Sequence, residues 1–160
     1  MHGHGRFVDA RINVSVNNPP DMVTSKLPAL RAYQLTLQTP PPIAAEFDAA
    51  AAARGRAVFD GAGQCATCHT GPTFTDINAG RLHTAAEAGQ DPAYAQRSTT
   101  KMYRTTPLRG LWRPPQLRGP YFHDGRAATL EAVVEHYNTR RNLNLTAAQK
   151  ADLVQFLKSL

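Results

Sequence analysis

The decisive stretch is Gln64-Cys65-Ala66-Thr67-Cys68-His69. Two cysteines separated by two residues, with a histidine directly after the second, form the attachment signature of c-type haem. The spacing has a mechanical reason. Two thiols add across the two vinyl groups on one edge of a porphyrin, and the residues between them form a tight turn that spans that edge. His69 is then delivered beneath the ring, where its imidazole can bind iron as the proximal ligand. Cys65 and Cys68 are the only cysteines in the chain, so no other disulfide or zinc–thiolate framework competes for them. A redox disulfide of the thioredoxin type prefers a strand-to-helix setting and leaves His69 unexplained. A structural zinc site needs a fourth ligand, and no second Cys or His pair has finger spacing.

Just upstream, the Ala-rich residues 45–60 predict a helix of high intrinsic propensity, with Phe47, Ala51, Gly55, Val58 and Phe59 on or near one face. A glycine in mid-helix costs about 1 kcal/mol against alanine, so a close helix crossing is the expected reason for Gly55. Gly61-Ala62-Gly63 breaks this helix immediately before the signature. Further back, Pro28 to about Leu37 reads as a short helix, with Ser25 ahead of it and Pro28 near its first turn. Thr39-Pro40-Pro41-Pro42 ends it as a stiff connector. Residues 1–24, with Asn17-Asn18-Pro19-Pro20, lack periodicity and read as an extended or irregular arm. The division expected is residues 1–42 as an arm or interdomain connection with one short helix, and residues 43–160 as the haem domain.

Downstream, Gly71 to about Arg118 holds no long periodic segment. So long a stretch fits a compact domain only if it wraps something, here the haem face opposite His69. Two helices close the chain. Thr129 can cap one running to about Asn138, with Leu130, Val133, Val134 and Tyr137 at helical spacing. Thr146-Ala147-Ala148-Gln149 is a capping box opening the last, over 147–159, whose Leu153, Phe156, Leu157 and Leu160 repeat the stripe. This last stripe is expected to pack across the Gly55 helix. The fold class expected is all-α: a cytochrome c-like domain with one covalently attached haem and long loops.

The totals agree. A chain of 160 residues suits one compact domain, and twelve prolines with eleven glycines mark it as rich in loops. The net charge of +6, carried mostly by arginine, suits docking to an acidic redox partner and speeds encounter more than it tightens binding. The arginines are scattered and no recognition motif accompanies them, which argues against nucleic acid. No apolar run approaches a membrane span. The N-terminal Met1-His2-Gly3-His4-Gly5-Arg6 has no apolar signal core, yet c-type haem is attached outside the cytoplasm. A periplasmic location is therefore expected for a mature protein or an excised domain.

The second axial position of the iron decides the function. Methionine or histidine gives an electron carrier, whereas an open or tyrosine-occupied site allows chemistry with peroxide or oxygen. Of the three methionines, Met1 is terminal, Met22 lies in the arm, and Met102 sits in the non-periodic segment, in neighbours (Lys101, Tyr103, Arg104) that do not look like core. Met102 is the expected ligand, with His123, His83, Tyr103 or an open site as alternatives. His136 reads as a solvated surface residue.

Met102-Tyr103-Arg104-Thr105-Thr106-Pro107-Leu108-Arg109-Gly110-Leu111, then Gly119-Pro120-Tyr121-Phe122-His123-Asp124-Gly125-Arg126 and Ala128-Thr129-Leu130-Glu131, resemble the C-terminal haem domain of the bacterial di-haem cytochrome c peroxidases and MauG-like proteins. Gly71-Pro72-Thr73-Phe74-Thr75-Asp76 resembles that group as well, so the likeness runs from about Arg54 to Tyr137. It implies that Met102 is the distal methionine of an electron-transferring haem, although in MauG-like relatives a tyrosine serves, and Tyr103 stands beside Met102. It also implies Arg109 near a haem propionate, a role that suits a fixed cationic fork; a plain surface arginine is the alternative. Those enzymes carry two haem signatures and this sequence carries one. The chain is thus expected to be one haem domain of a larger assembly, with a second haem domain as a candidate partner and without a peroxide-reducing site of its own.

Trp112 could lie against the haem, or simply pack, and Asp124-Gly125 should form the turn that holds His123. The leading expectation is outer-sphere electron transfer through one haem c, bound at Cys65 and Cys68 and ligated by His69 and Met102. The alternative is a peroxidase- or oxidase-type domain with an exchangeable distal ligand and His123 or His83 as acid–base group.

Overall fold

The computed structural model describes residues 7–9, 14–16, 24–111 and 120–160. The chain divides into two units, Met1–Thr39 and Pro40–Leu160. In the first, strands β1 (Phe7–Asp9) and β2 (Val14–Val16) pair antiparallel in the register Phe7↔Val16, Val8↔Ser15, Asp9↔Val14. The arm expected to be irregular thus contains a small ladder. Helix α1 (Leu27–Thr36) follows a 3-10 turn at Thr24–Lys26 and takes Pro28 in its first turn, where the missing N–H is no loss. It buries none of its residues; Leu27, Leu30, Tyr33 and Leu35 are all exposed.

The second unit is built on three helices. α2 (Ala49–Asp60) begins later than its alanine run, because Asp48 caps it by accepting from the Ala51 N–H at 2.8 Å, and Ala44–Glu46 forms a separate 3-10 turn. Two short helices, α3 (Ala85–Ala88) and α4 (Pro92–Ala95), interrupt the long loop. α5 (Leu130–Arg140) is capped by Thr129, and α6 (Ala147–Lys158) opens with the Thr146–Gln149 capping box. Among the described residues no helix is long and apolar enough to cross a membrane.

α2 and α6 cross at Gly55. A Cβ there would stand 2.0 Å from the Asp152 carbonyl oxygen and 2.9 Å from Cβ of Phe156, so only glycine permits this approach. Arg54 and Asp152 fasten the crossing with two hydrogen bonds of 2.8 and 2.7 Å. Beneath it lies the core: Val58, Phe59, Phe74, Leu130, Val134, Leu145, Leu153, Val154, Phe156, Leu157 and Leu160. Phe59, only 1% exposed, meets Phe74 and Phe156 edge-on, with centroids 5.8 and 5.1 Å away. Each such side chain contributes about 1.5–3 kcal/mol by leaving water.

The loop from Gly71 is held by polar bonds instead. His83 and Tyr103 exchange backbone bonds of 2.7 Å, Tyr121 pairs with Ala127, and the Thr75 hydroxyl donates to the Thr105 carbonyl at 2.7 Å. The Gly110 N–H reaches the carbonyl of Leu160 at 3.1 Å, tying the loop to the last residue of the chain.

Candidate functional site

The signature folds as a tight turn at the end of α2. Gly61 closes the helix, and the Gly63 N–H donates back to the Val58 carbonyl at 2.7 Å. A Cβ at Gly63 would sit 2.8 Å from that carbonyl and 3.3 Å from Sγ of Cys65. Cys65–Thr67 make one 3-10 turn, and the His69 N–H donates to the Cys65 carbonyl at 3.0 Å. Cys65 and Cys68 are both free thiols and half-buried.

His69 is fixed by its outer nitrogen. Nδ1 lies 2.9 Å from the Phe74 carbonyl oxygen and donates to it. Phe74 adopts a left-handed backbone at φ 54° to present that carbonyl, a strained choice for a bulky residue that its burial in the core enforces. With Nδ1 engaged, Nε2 is the nitrogen left for a metal, the arrangement usual for ligating histidines. Burial pushes the His69 pKa down, against the opposing pull of the Phe74 carbonyl, so the imidazole is held neutral as a ligand must be.

Cys65, Cys68 and His69 open onto a cavity of about 550 Å³, within the ~300–1,000 Å³ typical of cofactor sites. One wall is Phe59, Leu130, Val133, Val134, Leu153 and Leu157 from the three helices; the other is the loop, with Tyr103 to Arg109 and Pro120 to His123. A flat apolar group tethered by two thiols fits this chamber: both thiols, a neutral imidazole and a largely apolar lining are in place, and Arg104, Arg109 and Arg141 lie on the lining to meet anionic edges.

Of the expected site residues, Cys65, Cys68, His69 and Arg109 line the cavity together. Arg109 donates from Nε to the Pro72 carbonyl at 2.9 Å and lies over the Phe74 ring at 5.1 Å, which leaves its fork partly committed to the loop. Met102 is half-buried and is not among the lining residues, although its neighbours Tyr103 and Arg104 are. His83 and His123 both line the cavity. The His123 ring meets that of Tyr94 at a tilt, with centroids 4.3 Å apart, and its Nδ1 lies 3.1 Å from Gln90 Oε1. The turn after it forms as expected: Gly125, at φ 70°, donates to the Phe122 carbonyl, and Asp124 pairs with Arg126 at 2.7 Å rather than touching His123. Trp112 lies outside the described residues.

His136 is not the solvated residue its helical position suggested. Its Nε2 is shut from solvent without a hydrogen-bond partner, its ring meets Phe122 edge-on at 4.9 Å, and burial lowers its pKa. Sequence reasoning also passed over Tyr137, counted only as part of an apolar stripe. It lines the cavity from α5, and burial raises its phenol above the usual range, with Arg141 pulling the other way. The signal was present: a phenol at the core-facing position of a helix needs a polar partner or a role.

Fold, paired thiols and fixed imidazole together define a c-type cytochrome-like haem domain, and the comparisons with known proteins agree. No protein-family model matches the chain. A MauG methylamine utilization protein from Methylorubrum extorquens is 35% identical over 126 residues, covering 68% of this chain and 34% of its own length. The cytochrome-c peroxidase IdrP1 of Denitromonas iodatirespirans is 31% identical over 152 residues, covering 69% of this chain and 40% of its own. The matched region belongs to this family of MauG and cytochrome c peroxidase proteins. The chain spans between a third and two fifths of the length of these relatives. Among solved structures, the Kuenenia stuttgartiensis hydrazine synthase shares the fold, with a TM-score of 0.57 over 91% of this chain and 57% of that chain, at 24% identity.

Proposed function

We propose that this chain is the electron-transfer haem domain of a larger redox protein, carrying one haem c on Cys65 and Cys68 with His69 as proximal ligand. The observation that carries the reading is the Nδ1 bond from His69 to the Phe74 carbonyl, beside two free thiols on an apolar cavity. Haem bound here supplies an iron that accepts and returns one electron. The protein's part is to hold it. The 3-10 turn sets the two thiols along one edge, His69 is oriented and kept neutral, the Phe59 and Leu157 wall excludes water, and Arg104, Arg109 and Arg141 offset the propionates.

The candidates for the distal position are Met102 and, on the cavity lining, His83, Tyr103, His123 and Tyr137. Met102 has the chemistry of a high-potential carrier; it is half-buried and stands directly before Tyr103, which lines the cavity. Tyr103, the tyrosine that the resemblance sets beside Met102, lines the cavity, as does Tyr137 from α5, which supports a tyrosine-ligated site as the rival. Haem attachment outside the cytoplasm supports a periplasmic location. Its basic surplus suits an acidic redox partner, and the length of its relatives suits a second haem domain alongside.

The test is the absorption spectrum of the oxidised protein, out to the near-infrared methionine–iron band, for the wild type, Met102→Ala and Tyr137→Phe, with and without peroxide. A six-coordinate spectrum that ignores peroxide supports the carrier, and whichever substitution turns it high-spin names the ligand. A wild type that is high-spin, or that reacts rapidly with peroxide, makes the distal pocket catalytic and sinks the carrier reading.

A further inference from the structure

One cluster of reactive side chains stands beside the signature turn. Sγ of Cys68 lies 4.0 Å from Nδ1 of His83, and Nε2 of His83 lies 2.8 Å from Oδ2 of Asp76. Asp76 is 3% exposed, and its Oδ1 makes no hydrogen bond. Burial alone would raise its carboxyl pKa, yet the Thr105 side chain and His83 together hold it below the ordinary range, so it is ionised. An ionised carboxylate only accepts. The proton of a neutral His83 therefore sits on Nε2, and Nδ1 turns a lone pair toward the Cys68 sulfur. The ring is held through its bond to Asp76, and the His83 backbone is locked to Tyr103 in both directions at 2.7 Å.

Cys65 has a different setting. Its thiol donates to the Gly63 carbonyl at 3.3 Å, and burial pushes its pKa up to about 11. One thiol of the pair thus faces a base that a buried acid orients, and the other faces a carbonyl oxygen. Nucleophile, base and orienting acid in series are the parts of an activated thiol.

We infer that His83, oriented by Asp76, is the internal base that takes the Cys68 thiol proton while that sulfur bonds to a haem vinyl group. The inference rests on the covalent-haem reading. The step balances without any further reactant. The S–H bond and the vinyl π bond break, an S–C bond forms at the vinyl α-carbon, and the proton carried by His83 ends on the β-carbon; no net electron is gained or lost. Cys65 needs no such base and no prior bond at Cys68, because a ring seated in the cavity holds its other vinyl group against that thiol.

The full chain is produced in a bacterium that attaches haem to exported proteins, as wild type, His83→Ala and Asp76→Asn. Each product is alkylated, digested, and read by mass spectrometry for haem and alkyl groups on the peptide carrying Cys65 and Cys68. In His83→Ala the fraction of chains with haem on Cys65 alone and Cys68 alkylated should rise roughly tenfold or more, and in Asp76→Asn by less. If His83→Ala yields no stable protein, His83→Gln keeps the polar volume and carries the same comparison. Equal double attachment in wild type and both His83 variants overturns the inference and leaves the covalent-haem reading standing. A wild type without covalent haem overturns that reading as well.

Discussion

The helical frame and the loop wall enclose the same cavity and are held by different forces. α2, α5 and α6 meet through apolar stripes, and Phe59, Phe74 and Phe156 interlock edge to face beneath a glycine crossing. The wall contributes few fully buried side chains and is tied by polar bonds. Arginines do much of this tying: Arg109 donates to the Pro72 carbonyl, Arg126 to Gly89, Arg140 to Ala86 and Arg141 to Glu87. The basic surplus is therefore partly internal hardware that ties the loop to itself and α3 to the end of α5. Burial sets the stability of one side, while directional bonds set the shape of the other.

The sharpest way to break this contrast is Phe156→Ala. It removes a ring from the frame that is not part of the cavity lining, so it should cost about 3–5 kcal/mol in urea unfolding while the haem spectrum of the folded fraction stays unchanged. A spectral change of the same order as the stability loss would show that frame and wall are not separable. Thr75→Val inverts the expectation. It deletes the bond to the Thr105 carbonyl and leaves that buried acceptor unpaired, costing about 1–3 kcal/mol, and the spectrum should shift because Thr105 and Thr106 line the site. An unchanged spectrum would mean that the wall is set by other bonds.

The smallest effect is one of pH. Because burial holds the His136 pKa below its ordinary value, the unfolded chain binds the proton first. Stability should therefore fall as pH drops below about 6.5, and level off once the folded-state pKa is passed. His136→Gln should flatten part of that slope, as followed by thermal unfolding between pH 7 and 5; an equal slope in both proteins removes His136 from the account.

The same contrast explains what could be read from sequence. The helices announce themselves locally, through the Thr129 cap, the Thr146–Gln149 box, and a glycine whose mid-helix cost needs a crossing to justify it. The signature turn does too, since its chemistry is packed into consecutive residues. The wall does not, because its bonds join residues far apart, such as Thr75 with Thr105, or Arg126 with Gly89, and no periodicity encodes them. Hence Met102 stands out by its ligand chemistry, its place in the loop and the family-like run it opens, and not by any contact that the sequence encodes. Tyr137 was hidden in an apolar stripe, and His136 was assigned to solvent although Phe122, from the wall, covers it.

Cys65, Cys68 and His69 all come from one turn anchored to the end of α2. Once attached, a cofactor held in that way would stay on the chain when the residues facing its iron change. The opposite wall is therefore free to be rewritten over evolutionary time, exchanging methionine, tyrosine or an open coordination site, without an intermediate that loses its haem. A tether confined to five residues makes such a domain a starting point from which carriers and enzymes can both descend.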